Sequence, residues 1–199
     1  MTHVRVLAGD RDVASLISDL AAAIRNDMES FSDGGPWALV GIRSRGDVLA
    51  RRLADTLRPD HVGTLDITLY RDDLSEIGPQ AIVRTTEIPF GIDGLNIVLV
   101  DDVLMSGRSV RAALQSLMDM GRPKRVWLAV LVDRGGRELP IAPDHVGIVL
   151  SRDIDGGLTG GELVNVMLRP TDAEDAIVVA RYAPAADHAG TVAPGDDSG

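Results

Sequence analysis

The sequence predicts an α/β fold in which a central, mostly parallel sheet is flanked by helices. Three short apolar runs, at residues 37–42, 96–100 and 125–132, are typical of strands that are buried on both faces. Segments with apolar side chains at helical spacing separate these runs. Because buried strands that alternate with helices usually form βαβ units, we expect the strands to lie parallel.

The other elements are predicted by the same periodicities. They are helices at residues 13–29, 47–57 and 109–120, and strands at residues 64–69, 145–150, 163–168 and 177–180. Asp10 or Asp12 is placed to cap the first helix. Residues 71–94, with two prolines and three glycines, are predicted to leave the core. Long segments of this kind are usually functional lids or disordered.

Composition narrows the class of protein. At 199 residues and 45% hydrophobic, the chain is expected to bury one core, with a single domain at residues 1–182 and a disordered acidic tail at residues 183–199. The absence of cysteine excludes disulfides and thiolate metal sites. No signal peptide or membrane span is recognisable, so we expect a cytoplasmic protein. The net charge of -10 argues against general attraction to nucleic acid.

The most informative segment runs from Val98 to Val110. A buried strand ends in Asp101 and Asp102, and a short loop, Met105 to Ser109, opens a helix. Ligands of open α/β sheets lie at the carboxyl ends of strands, and a helix N-terminus suits phosphate. The two carboxylates are placed to hold sugar hydroxyls, directly or through Mg²⁺. The alternative, an ordinary strand–turn–helix, leaves two acids at the end of a buried strand unexplained.

This segment resembles the phosphoribosyl-pyrophosphate motif of type I phosphoribosyltransferases: four apolar residues, two acids, two apolar residues, then a small-Gly-basic-Thr/Ser loop. More narrowly, the chain is similar to the bifunctional pyrimidine-operon regulators and uracil phosphoribosyltransferases, the PyrR family. The similarity runs from about Val4 to Tyr182 and is most specific from Asp66 to Gly147. The matching segments are residues 67–74, 99–104, 107–108, 110–112, 121–123, 128–135 and 137–140.

The resemblance implies a type I phosphoribosyltransferase fold, with a small hood over the C-terminal edge of the sheet. It implies a homo-oligomer, a dimer or tetramer, that converts uracil and phosphoribosyl pyrophosphate to UMP and pyrophosphate in pyrimidine salvage. Asp101 and Asp102 would hold the ribose hydroxyls with Mg²⁺ nearby, and Met105–Ser109 would cradle the 5′-phosphate. Arg43–Gly46 would stabilise the leaving pyrophosphate, and Tyr70–Arg84 would form a mobile lid.

The candidate site residues follow from these assignments. Those implied in catalysis are Asp101, Asp102, Arg43 and Arg45, and the first two are also the candidate metal ligands. Those implied in substrate binding are Arg43, Ser44, Arg45, Gly46, Arg84, Asp101, Asp102, Val103, Leu104, Met105, Ser106, Gly107, Arg108, Ser109, Asp133, Arg134 and Arg137. The last three lie where the family's hood recognises uracil.

Simpler explanations exist for several of these residues. Arg43 and Arg45 also suit a solvated turn, and Arg137 and Glu138 also suit a structural ion pair. Asp72 and Asp73, in the predicted lid, also suit a loop whose charges discourage pairing with a strand edge.

The chain departs from the family at several positions. Met105 stands where the family usually has Tyr, and Ser106 and Ser109 stand where it usually has Thr, so the hydroxyls remain. The family's RNA-binding surface includes the first helix and the region after Pro140. In this chain that helix has Arg25 as its only interior base, and residues 141–148 contain no Lys or Arg. Since RNA affinity depends on cations at phosphates, regulation through RNA is not expected.

The sequence therefore leaves three functions open. They are a uracil phosphoribosyltransferase, a UMP-sensing RNA-binding regulator of pyrimidine genes, and a phosphoribosyltransferase for another base. The loop favours all three equally, the charge disfavours the second, and residues 133–135 favour uracil only through the resemblance.

Overall fold

The computed structural model describes residues 3–31, 35–70, 85–150 and 162–181. The predicted lid, including Arg84, and the predicted tail therefore lie outside the described residues. The strands within the described ranges are β1 His3–Ala8, β2 Trp37–Ile42, β3 His61–Leu65, β4 Asn96–Leu104, β5 Arg125–Asp133, β6 His145–Val149, β7 Glu162–Met167 and β8 Ala176–Arg181. The helices are α1 Asp10–Phe31, α2 Arg45–Leu57 and α3 Arg108–Met120, with a 3-10 turn at Thr68–Tyr70.

Five of these strands form a parallel sheet in the order β3-β2-β4-β5-β6. Alternate residues of its central strands face two separate apolar cores. One core packs against α1 and α2, and the other packs against α3. The predicted fold class is thus confirmed, and the continuous apolar runs are explained because helices cover both faces of the sheet.

A second sheet, here called the hood, is antiparallel with the order β1-β8-β7. Its inward side chains, including Val164, Val166 and Ile177, belong to the same core as α1 and α2. Arg45 and Arg52 of α2 pair with Asp172 and Asp175 in the turn between β7 and β8. These contacts hold the hood beside the start of α2 and so beside the carboxyl edge of the parallel sheet.

Two predicted boundaries were wrong for local reasons. The strand expected at residues 64–69 lies at 61–65, because the Asp66 carboxylate accepts hydrogen bonds from the backbone N–H and hydroxyl of Thr68 and turns the chain. β4 continues through the two acids to Leu104, since it stays paired with β5 to that point. No helix in the described ranges is long and apolar enough to cross a membrane.

Candidate functional site

Three segments meet at the carboxyl edge of the parallel sheet. They are the turn 43–46 after β2, the loop 105–109 after β4, and the strap 137–141, which follows β5. Because β2, β4 and β5 are neighbours and parallel, their carboxyl ends lie side by side. Candidate residues from all three segments therefore lie along one edge of the sheet, where ligands of open α/β sheets bind.

Two adjacent carboxylates lie at the base of this site. Asp101 is 6% exposed and Asp102 is half-buried, and the Asp102 backbone N–H donates to the Asp101 carboxylate at 3.0 Å. Burial, and then the negative charge of Asp102, raise the pKa of Asp101 well above its usual value. Burial also raises the pKa of Asp102, although the positive charge of Arg45 opposes that shift. The pair therefore favours a ligand that brings positive charge or hydroxyl donors.

The loop 105–109 supplies the anion-binding element. Gly107 precedes α3 with φ 89°, in the left-handed region that favours glycine, and has no side chain to cap the helix, while the Ser106 hydroxyl accepts from the Arg108 backbone N–H at 3.3 Å. The N-terminal end of α3, with its partial positive charge, therefore faces the loop. A small cavity of about 60 Å³ lies between the loop and β4. It is lined by Asp101, Val103, Leu104, Met105, Ser106, Gly107, Ser109 and Val110.

The strap 137–141 fixes the loop from the other side. The backbone N–H groups of Glu138 and Leu139 donate to the Ser106 carbonyl at 3.0 and 3.1 Å. A Cβ on Gly107 would lie 3.4 Å from the Ile141 side chain, so the strap packs closely on the loop. The loop is consequently held in shape before any ligand arrives.

Arg137 joins the strap to the loop through its whole guanidinium. It donates to the carbonyls of Leu104, Met105 and Ile141 and to the Asp133 carboxylate, the last at 2.7 Å. Its side chain therefore supports the loop and the end of β5. The alternative of an Arg137–Glu138 ion pair is not observed, because Arg137 pairs with Asp133 while Glu138 pairs with Arg108.

Asp133 and Arg134, the other two residues predicted to recognise uracil, lie beside the strap. Asp133 accepts from the Gly135 backbone N–H at 2.9 Å, in addition to its pair with Arg137. The Arg134 guanidinium donates to the Glu162 carbonyl of β7. The segment after β5 thus contacts both the loop and the hood.

The turn 43–46 packs directly on the end of β4. A Cβ on Gly46 would lie 2.5 Å from the Val100 carbonyl oxygen, so this position has no room for a side chain. The guanidinium of Arg45 binds both carboxylate oxygens of Asp172 at 2.9 Å, and this pair raises the pKa of Arg45. Arg43 donates to the Glu87 carboxylate at 3.1 Å. Arg43 and Arg45, which also suited a solvated turn, are therefore each paired with a specific acid.

Those anchors were missed by sequence reasoning. Asp172 is 127 residues from Arg45 and Glu87 is 44 residues from Arg43, so no local pattern relates them. The sequence offered only a weak signal, the unexplained acids of the segment Asp172–Asp175 in the turn between two predicted strands.

The chain is similar in sequence and fold to known phosphoribosyltransferases. The family model "Phosphoribosyl transferase domain" matches residues 10–160. The chain is 46% identical to the Bifunctional protein PyrR of Syntrophobacter fumaroxidans over 186 residues, which cover 91% of this chain and 95% of the relative. It is 54% identical to that of a Roseiflexus species over 176 residues, covering 80% and 94%. Its fold is similar to that of the hypoxanthine phosphoribosyltransferase of Trypanosoma cruzi, with a TM-score of 0.62, 17% identity, and 89% and 96% of the two chains covered.

Proposed function

Since the chain belongs to the PyrR family of phosphoribosyltransferases, we propose that it transfers the phosphoribosyl group of phosphoribosyl pyrophosphate to uracil. UMP and pyrophosphate are then the products. The observation that carries the proposal is the pair Asp101 and Asp102 beside the loop that opens α3, with Arg45 close enough to shift the pKa of Asp102.

The loop 105–109 is assigned to the 5′-phosphate. The start of α3 provides backbone N–H groups and a partial positive charge, and Ser106 and Ser109 add hydroxyl donors. The Met105 side chain, 37% exposed, replaces the aromatic residue usual in the family without removing any of these donors. The strap keeps the donors oriented, so that little reorganisation accompanies binding.

The carboxylates are assigned to the ribose hydroxyls and to Mg²⁺. Within the described ranges no group of three or more His, Cys, Asp or Glu side chains could hold a metal ion by itself. Mg²⁺ is commonly held by one or two carboxylates together with substrate phosphates and water, so the donor set of Asp101 and Asp102 fits this ion. Bound there, it would neutralise phosphate charge, and the carboxylates would orient the ribose.

The turn 43–46 is assigned to the leaving pyrophosphate. Substitution at the anomeric carbon passes through a cation-like ribose and releases a highly charged group, which fixed cations and N–H groups stabilise. Arg45 is held in one orientation by its two bonds to Asp172, and Arg43 by Glu87. Asp102, near enough to Arg45 for that positive charge to oppose the rise in its pKa, is assigned to stabilise positive charge on the ribose.

Uracil is assigned to the segment after β5. Asp133 and Arg134 are tied to Arg137 and to β7, which leaves the backbone of residues 134–136 to present the base-recognising groups. Gly135 and Gly136 have φ values of 71° and 79°, so this segment turns sharply beside Met105. The choice of uracil over other bases is supported by the resemblance to PyrR proteins.

The experiment is a panel of free bases with phosphoribosyl pyrophosphate and Mg²⁺, in which released pyrophosphate is measured. We expect uracil to be used with a kcat/KM at least tenfold above that for hypoxanthine, guanine or adenine, the difference that about 1.4 kcal/mol of selective binding produces. A preference for a purine would overturn the uracil assignment while keeping the enzyme class. Inactivity with every base would count against the enzyme itself.

A further inference from the structure

A cavity of about 250 Å³ lies at the end of the sheet opposite the candidate site. It is bounded by the C-terminal half of α1, the end of α2 and the amino ends of the strands. Its lining residues are Arg25, Met28, Glu29, Gly35, Trp37, Leu57, Asn96 and Trp127. Asn96 begins β4 and Asp101 lies five residues along the same strand, about 16 Å away.

The lining combines aromatic walls with an amide that is open to the cavity. Asn96 is 6% exposed, and in the described part of the chain its side chain makes no hydrogen bond. Neither polar atom of this amide is among the fully enclosed side-chain atoms that lack a partner, so the amide reaches the cavity. A ligand in the cavity would therefore meet both its donor and its acceptor.

The two tryptophans of the chain both line this cavity. Trp37 is the register partner of Asn96 on the neighbouring strand, and Trp127 lies two residues further along the next strand. These three side chains therefore share one face of the sheet, under α1. The Arg125 guanidinium lies 5.2 Å from the Trp127 ring centroid, a cation–π contact that steadies this indole.

We propose that this cavity binds a purine base with an exocyclic amino group, such as adenine, at a site separate from the catalytic one. An Asn side chain offers an adjacent acceptor and donor, which match the amino group and ring nitrogen of adenine in a two-bond pair. The indoles provide flat apolar surface for the ring. The volume is slightly below the range of about 300–1,000 Å³ typical of drug-sized ligands, and so suits a small planar molecule.

The position of the tryptophans provides a direct measurement. With no other tryptophan in the chain, emission excited where adenine is transparent reports on this cavity alone. We expect adenine to quench the full-length protein saturably. Purine, which has the same ring without the amino group, should bind at least about tenfold more weakly, because the Asn96 carbonyl then loses its donor.

Asn96→Leu tests the assignment of the amide. This variant keeps the approximate side-chain size and removes the amide, so the protein should stay folded, as its thermal midpoint would show, while its affinity for adenine falls at least about tenfold. Asn165→Leu, at an exposed position on β7, is the matched control and should leave the quenching unchanged.

Three results with the wild type and the Asn96→Leu variant would overturn the proposal. They are an absence of saturable quenching, equal affinity for adenine and purine, and unchanged affinity in a folded Asn96→Leu protein. Ser109→Ala, in the loop 105–109, distinguishes this cavity from the candidate site. Loss of adenine quenching in that variant would place the base in the catalytic pocket, against the proposal.

Discussion

At the scale of single residues, the candidate site has two neighbouring acidic side chains at a buried position, where neutral side chains would be more stable. Asp101 is almost fully buried beside a second carboxylate, and both features raise its pKa. A protein selected only for stability would place a neutral side chain here, because buried like charges repel each other and lose hydration. The presence of two acids at this position supports the proposal that they act on a ligand.

We therefore expect Asp101→Asn to separate activity from stability. Loss of the carboxylate should lower kcat/KM with phosphoribosyl pyrophosphate by about 10²-fold or more, the order of loss that follows removal of one preorganised polar group. It should also raise the free energy of unfolding at neutral pH by about 0.5–2 kcal/mol, since a strained charge is removed.

Steady-state kinetics and urea denaturation without ligand check the two expectations. Asp55→Asn, at an exposed position on α2, is the matched control and should change neither quantity. An Asp101→Asn protein that is fully active would contradict the ribose and Mg²⁺ assignment. An Asp101→Asn protein with a much lower free energy of unfolding than the wild type would contradict the electrostatic argument.

What the sequence predicts at this scale depends on how local the signal is. Asp101, Asp102 and the loop 105–109 are contiguous, so strand, acids and glycine appear as one pattern. Arg137 was predicted as a base contact, yet three of its acceptors are backbone carbonyls, which no side-chain pattern can indicate. Its structural role depends on the fold and could not be read from sequence.

At the scale of elements, the hood is joined to α2 by two ion pairs. Besides Arg45–Asp172, the Arg52 guanidinium contacts both oxygens of Asp175 at 2.5 and 2.8 Å. Asp175 also accepts from the Arg169 backbone N–H at 2.8 Å. Arg52 and Asp175 are 27% and 13% exposed, so solvent screens this pair less than an open surface pair. It is therefore expected to contribute to the docking of the hood.

Asp175→Asn should destabilise the protein in a pH-dependent way. The hydrogen bond from Arg52 is the main cause that lowers the pKa of Asp175 in the folded state. A carboxyl with a lowered folded pKa stabilises the fold above its unfolded pKa, near 3.9, and loses this effect as the pH falls through the folded pKa. The variant should lose about 1–3 kcal/mol at neutral pH, and the deficit should shrink in acid.

Urea denaturation at neutral pH and below the usual carboxyl range provides the measurement. Glu174→Gln, exposed in the same turn, is the control and should match the wild type at both pH values. A deficit for Asp175→Asn that persists unchanged in acid would indicate a packing effect instead.

Elements with strong periodicity were predicted almost at their observed bounds, and those that end through side-chain chemistry were not. The strand at residues 37–42 was predicted correctly because both of its faces are apolar. The end of β3 was misplaced, because the alternating pattern continues through Asp66 although that carboxylate turns the backbone. Hydrophobic pattern locates what is buried, and polar side chains decide where the chain turns.

At the scale of the whole molecule, the net charge and its distribution bear on whether the protein binds RNA. The net charge is -10, and the exposed surface of α1 includes Ser15, Ser18, Asp19 and Ala22. Ala142 and Asp144 are exposed after the strap. The surface at which the family resemblance would place RNA thus has few cations among the described residues.

We expect weak or no binding of pyrimidine-operon leader RNA at physiological salt. Affinity for RNA falls by orders of magnitude when several phosphate contacts are missing, because each contact releases counterions. A gel-shift titration at several salt concentrations, with and without UMP, is the measurement. A variant with Ser15→Arg, Asp19→Arg and Ala22→Arg should bind RNA more tightly than the wild type, with a steeper salt dependence. Salt-sensitive nanomolar binding by the wild type that strengthens with UMP would contradict the charge argument.

The pairing of β1 with β8 has a consequence for biosynthesis. His3 is the register partner of Arg181, so among the described strands the first to leave the ribosome is completed by the last. Strands β2 to β6 and their helices are translated as one continuous block and can pair while the chain is still growing. β1, with Val4 and Val6 more than half exposed even in the finished fold, has to wait unpaired until residues 176–181 emerge. A nascent chain stalled before residue 176 would therefore carry a formed parallel sheet together with an unpaired β1. The exposed backbone groups of β1 would then be open to pairing with other chains.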